Sequence, residues 1–199
     1  DAELELDVEA AVAGLSRKLF ACCYLAHRPV AAAIRLHGEG ASSLLSDPAI
    51  RVEVEVPPGC LKALTIDIPQ TGAEAKFSGK YTVAHALLIG QLGLAAFTGQ
   101  GVSRPEFVSL ARRVSLKETE ASGAAGVGVD RGRVTVSLMR GAEQVASASV
   151  EHYPGSPASP ITRAELDGKL ADCVSIGVPG DNGLAARIRS MARQFARNA

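Results

Sequence analysis

The stretch RKLFACCYLAHRP, Arg17 to Pro29, places Lys18, Cys22, Cys23 and His27 within ten residues of a chain that has only four cysteines and four histidines. Three chemistries use such residues. Zinc takes about four ligands at recognisable spacing, and only Cys22, Cys23 and His27 cluster, with Cys60 and Cys173 far along the chain. A thiol nucleophile needs a nearby base and a lowered pKa, which no spacing supplies. The sulfurs therefore read as small buried side chains beside a helix start. The lysine and histidine remain. With a helix beginning near Pro29, His27 precedes its first unpaired main-chain N–H groups, an end that attracts anions. Lys18 can reach the same place as a mobile charge and proton donor. A second helix start, in AKFSGKYTVAHALLIG, has the same character: Lys76, Ser78 and Lys80 surround its opening. Tyr81 follows in the first turn with a phenol that can bind or shuttle a proton. Two such ends in one small domain suit a ligand carrying several carboxylates.

These residues need elements to hold them. From Pro29 to Leu36 the composition favours helix, with Pro tolerated in a first turn and Gly38 as a stop. IRVEVEVPP alternates, with Ile50, Val52, Val54 and Val56 on one face and Arg51, Glu53 and Glu55 on the other, which predicts a half-buried strand. A second alternation, Leu64, Ile66 and Ile68, ends at Pro69 and reads as its neighbour. Ser78 is a candidate N-cap for a helix carrying Val83, Leu87 and Leu88. Residues 112–118 and 133–139 read as strands, and Arg140-Gly141 as a turn into QVASASVEH. The loop YPGSPASP leads to a capping box, Thr162 with Glu165. The last segment, LAARIRSMARQFARN, is a basic helix with a stripe of Leu184, Ile188, Met191 and Phe195. The first dozen residues read as linker or a short helix. Strands come in groups rather than alternating singly with helices, so the fold class is α+β.

The 199 residues suffice for one sizeable core. Lys plus Arg equals Asp plus Glu, 21 of each, so no global field recruits nucleic acid or an anionic membrane. No apolar run spans a bilayer and no signal peptide opens the chain. Without Met at its start the chain reads as a processed or excised piece. Cysteines without CxxC spacing fit a reducing, cytoplasmic setting.

Three stretches, in order, resemble the motifs of the MmgE/PrpD family, which includes 2-methylcitrate dehydratase, cis-aconitate decarboxylase and iminodisuccinate epimerase. KLFACCYLAH is similar to a motif that begins with Lys, usually reads Lys-Pro-(Tyr/Phe)-Pro, and runs to a His. AKFSGKYTVAHALLIG resembles Lys-Phe-Ser-x-x-Tyr-x-x-Ala-x-x-Leu-x-x-Gly. HYPGSPASPITRAELDGKL resembles a Gly-Ser/Asp-Pro loop, a second Pro, then a helix with Glu-Leu and Lys. The resemblance implies an α+β lid domain over residues 1–153, then a loop and helices over 154–199 that in the family return to a preceding helical domain. That helical domain, which supplies the histidines of the family's site, is absent from this sequence. The resemblance also implies a homo-oligomer, and acid–base chemistry beside a carboxylate of a small di- or tricarboxylate, as in propionate metabolism, without metal or organic cofactor. Lys18 would bind carboxylate or donate a proton, and Tyr81 would donate a proton or orient the substrate. His27, Lys76 and Ser78 would hold its anionic groups. The chain departs from the motifs at Leu19 and Ala21, which replace prolines, at Ala26, at Ala31 or Ala32, and at Ile89, where the family often has Asp. The loss of polar groups points to the alternative of a non-catalytic ligand-binding or structural member.

Overall fold

The computed structural model describes residues 14–119 and 132–198; the first dozen residues, expected as linker or a short helix, lie outside them. The main elements are α1 (His27–Gly38), β1 (Ile50–Val56), α2 (Gly79–Ile89), α3 (Pro105–Ala111), β2 (Val114–Glu118), β3 (Val134–Arg140), β4 (Glu143–Val150), α4 (Arg163–Gly177) and α5 (Leu184–Asn198). Together they make an α+β domain.

The alternation in β1 does what period two dictates: Ile50, Val52, Val54 and Val56 are all fully buried. On the other face Lys117 of β2 reaches Glu53 at 3.2 Å and Glu55 at 3.3 Å. Burying four such apolar side chains is worth about 6–12 kcal/mol, whereas exposed ion pairs contribute little, so the apolar face sets the register. The sheet runs β2-β1-β3-β4. β1 pairs in parallel with β2 and antiparallel with β3, and β3 forms a hairpin with β4. Gly141, with φ of +60°, makes the hairpin turn that Arg140-Gly141 announces. The crossover from β1 to β2 carries α2 and α3. α1 covers β3 and β4, α2 packs beside α1 and over β2, and α3 packs on α2.

The expected strand at Leu64, Ile66 and Ile68 does not form. Its inward alternation is present, with Leu64 buried and Ile66 and Ile68 half-buried. A strand also needs a backbone partner, and both edges of β1 are taken by β2 and β3. Ile66 N–H instead donates to the carbonyl of Phe77 at 3.4 Å.

At the C-terminal end the capping box of α4 is complete. Thr162 Oγ1 accepts from Glu165 N–H at 3.2 Å, and Glu165 Oε2 accepts from Thr162 N–H at 2.7 Å. No residue of α4 is buried. On α5 the stripe is open to solvent at its far end, with Met191 68% and Phe195 78% exposed. No described helix is long and apolar enough to cross a membrane.

Candidate functional site

α1 and α2 lie side by side and run the same way. Near their N-terminal ends Cys23 N–H donates to the carbonyl of Lys76 at 2.8 Å. At the other end His37 Nδ1–H donates to the carbonyl of Leu87 at 2.8 Å. Gly90, at φ +74°, allows the close approach: a Cβ there would stand 2.4 Å from the His37 ring. The two helix starts that looked alike in the sequence are therefore neighbours.

Lys18 sits on the exposed loop before α1, its Nζ 3.4 Å from the carbonyl of Cys22. Its main chain is held from three directions. Below it, Phe20 N–H donates to His27 Nε2 at 3.2 Å, while His27 Nδ1–H donates to the carbonyl of Cys23 at 3.2 Å. Beside it, Arg17 N–H donates to the carbonyl of Gly155 at 2.8 Å. Gly155 has φ of +93°, and a Cβ there would lie 1.9 Å from the Arg17 carbonyl oxygen, so only glycine fits. Above it, Lys169 Nζ of α4 donates to the Lys18 carbonyl. The first and third motifs thus meet at Lys18, through His27 and through the Gly155 loop with α4, while the Lys76 carbonyl before α2 ties the same loop further on, at Cys23.

Three of the five expected site residues, His27, Ser78 and Tyr81, are buried. His27 is fully buried, with both ring nitrogens engaged and Cys22 Sγ 3.8 Å from Nδ1. Burial pushes its pKa down to about 4, the charges of Lys18 and Lys169 acting in the same direction against the bond to Cys23. Its two bonds pin the Lys18 loop. Ser78 is buried as well: its Oγ accepts from Tyr81 N–H at 3.1 Å as the predicted N-cap and donates to the carbonyl of Asp67 at 2.9 Å. Tyr81 is fully buried, edge-on to Phe107, and its hydroxyl donates to the carbonyl of Ala96 at 2.6 Å. Burial pushes that phenol up to about 12. Lys18 and Tyr81 accordingly do not share one surface. Lys76 is exposed, and Lys80 pairs with Asp67. Cys22 is a buried thiol pushed up to about 12, chiefly by desolvation, and no disulfide joins the four cysteines. Among the described residues no group of three or more His, Cys, Asp or Glu side chains comes together as a metal site.

Beside the Lys18 loop lies a cavity of about 710 Å³, walled by Leu19 to Ala21, by α1 and α2, by the segment around Leu94, and by α4. α4 closes it through two polar ties, Lys169 to Lys18 and Asp172 Oδ2, which accepts from Leu94 N–H at 2.7 Å. His85 and Phe107 line it with ring centroids 4.4 Å apart. Lys18 is not part of its lining.

Sequence reasoning missed two residues here. His85 stands four positions after Tyr81, a spacing that puts both on one helix face, and that was the available signal. Arg28 had none. It is the largest fully buried side chain described. Its guanidinium donates to the carbonyls of Gly132 and Glu151 and to the Tyr153 hydroxyl, and lies 4.2 Å over that ring, which stacks on Tyr24 at 4.0 Å.

No curated protein matches the chain. The family model of the MmgE/PrpD C-terminal domain matches residues 20–193, taking in the Lys18 loop's Phe20, both helix starts, the Gly155 loop and α4. The chain belongs to the MmgE/PrpD family, as its C-terminal domain.

Proposed function

We propose that this chain is the C-terminal portion of a cofactor-independent lyase or isomerase, 2-methylcitrate dehydratase-like, that acts on a small di- or tricarboxylate in the cytoplasm. Its chemistry is proton transfer at carbon beside a carboxylate. The observation that supports the reading is that the main chain carrying the exposed Lys18 is tied by the His27 ring, the Gly155 loop and Lys169, because a fixed loop is what substrate positioning requires. Lys18 binds a carboxylate or donates a proton, with Lys76, whose carbonyl is bonded to the same loop at Cys23, as a second exposed cation. His27 and Ser78 serve by holding the loop and the helix start. Tyr81 serves as a proton donor or orienter only with its bond to Ala96 opened. A partner helical domain supplies the remaining site groups, and α5 docks on that domain or on a second copy.

A second reading, a non-catalytic ligand-binding or structural member, is favoured by the committed hydroxyl of Tyr81. One experiment separates the two. The chain is incubated with 2-methylcitrate and with cis-aconitate, alone and together with a family helical domain. The chain alone is expected to give no turnover. The pair is expected to give turnover that falls about 10²- to 10⁴-fold in Lys18→Ala, the range of a lost acid–base group. Substrate binding without turnover in the pair favours the second reading.

A further inference from the structure

Among the polar residues that line the cavity beneath α4, His85 has a ring nitrogen that the rest of the fold leaves available. His85 Nδ1–H donates to the carbonyl of Gln91 at 3.1 Å, and a carbonyl partner fixes that nitrogen as the donor. Nε2 is then an acceptor, and no described residue hydrogen-bonds it. Burial, aided by the Arg104 charge and opposed by the bond to Gln91, holds the imidazole below its ordinary pKa, so it is neutral near pH 7. The charged groups around the cavity are each engaged elsewhere. Lys169 donates to the Lys18 carbonyl, Arg35 to the Ser149 carbonyl, Arg104 to Glu106, while the Asp172 carboxylate takes Leu94 N–H and that of Glu165 takes Thr162 N–H. Much of the wall is apolar or aromatic: Leu19, Phe20, Ile34, Leu92 and Phe107. Cavities of about 300–1,000 Å³ with an apolar lining and few polar groups are the usual form of a small-molecule site.

We infer that this cavity binds a small apolar alcohol or phenol, its hydroxyl donating to His85 Nε2 and its ring or chain lying against Phe107 and the Leu19–Phe20 wall. A neutral imidazole acceptor beside Phe107 and other apolar wall residues suits one hydroxyl. A polycarboxylate would bring several charges against a largely apolar wall, so the site is distinct from the outward amine of Lys18. The inference concerns binding by this chain alone and stands whether or not the proposed reaction occurs.

The test is a fluorine NMR titration of the whole chain with 4-fluorophenol and with 4-fluoroanisole, its methyl ether, which has no proton to donate. The native chain is expected to bind the phenol about fivefold more tightly than the ether, the worth of one neutral hydrogen bond. His85→Leu is expected to abolish that difference while leaving ether binding in place. His85→Gln, whose amide can donate to Gln91 and whose carbonyl can accept, is expected to retain part of it. Thermal melts establish that both variants are folded. Equal binding of phenol and ether by the native chain, no binding of either, or a preference that survives in folded His85→Leu overturns the inference. Displacement of the phenol by citrate also overturns it, by making the cavity a polycarboxylate site.

Discussion

Lys169 Nζ donates to the main-chain carbonyl of Lys18, joining residues 151 positions apart. This bond, with the one from Leu94 N–H to Asp172, fastens a helix that has no buried residue of its own. Lys169→Met is therefore expected to cost about 1 kcal/mol, the net worth of a hydrogen bond. Its clearer effect is on local opening: hydrogen exchange in residues 163–177 and 18–21 should quicken while β1 and β3 stay protected. Uniform protection in the variant would show that α4 is held by something else.

Gly155 and Gly141 make a matched pair. Both have positive φ, but a Cβ at Gly155 meets the Arg17 carbonyl whereas Gly141 has open space around it. Gly141→Ala should cost about 1 kcal/mol from left-handed backbone alone. Gly155→Ala should cost about 2–4 kcal/mol, since the loop under Lys18 must move. Denaturant melts of the two variants check the order, and equal losses would contradict it.

The buried His27 makes stability depend on pH. Its folded pKa, about 4, lies below the unfolded value near 6.5, so the unfolded chain takes up the proton first. The His27 contribution is fully present above about pH 6.5 and is lost as pH falls toward 4, by up to about 3 kcal/mol. His85, also depressed, acts in the same direction. Urea melts between pH 7.5 and 4.5 should show a steeper loss for the native chain than for His27→Gln, which does not titrate there. Parallel curves would deny His27 that role.

Tyr81→Phe separates structure from chemistry. Loss of the hydroxyl leaves the Ala96 carbonyl without its donor, and should lower stability by about 1–2 kcal/mol. If Tyr81 acts only through this bond, turnover in the pair with a helical domain should hold within a few-fold once the protein is folded. A drop of 10² or more, in the range of a lost general acid, would show that the phenol reaches substrate.

The stripe on α5 should drive association. Leu184, Ile188, Met191 and Phe195 recur at helical spacing, and burying four such side chains is worth about 6–12 kcal/mol. Light scattering should find the chain self-associated at micromolar concentration and monomeric after removal of residues 183–199. A monomer in both cases would show that the stripe has no partner in a second copy.

The sequence by itself determined what depends on near neighbours. Period-two burial placed β1, β3 and the β3–β4 turn, and side-chain caps placed the starts of α2 and α4 at Ser78 and Thr162, because those signals act within a few residues. The order of three motifs was enough to name the family. Only the tertiary structure decided where side chains point. His27, Ser78 and Tyr81 carry the same polar atoms whether they face solvent or core, and distant partners buried them: Tyr81 against Phe107 and the Ala96 carbonyl, Ser78 at the Asp67 carbonyl. The stretch at Leu64–Ile68 failed as a strand because the places beside β1 were already filled, which no local pattern reveals. Lys18 gained its support from Gly155 and Lys169, residues distant in sequence, and His85 gained its cavity only when α4 folded across it. Long-range contacts choose among the local options, and here they chose which polar groups remain available for chemistry.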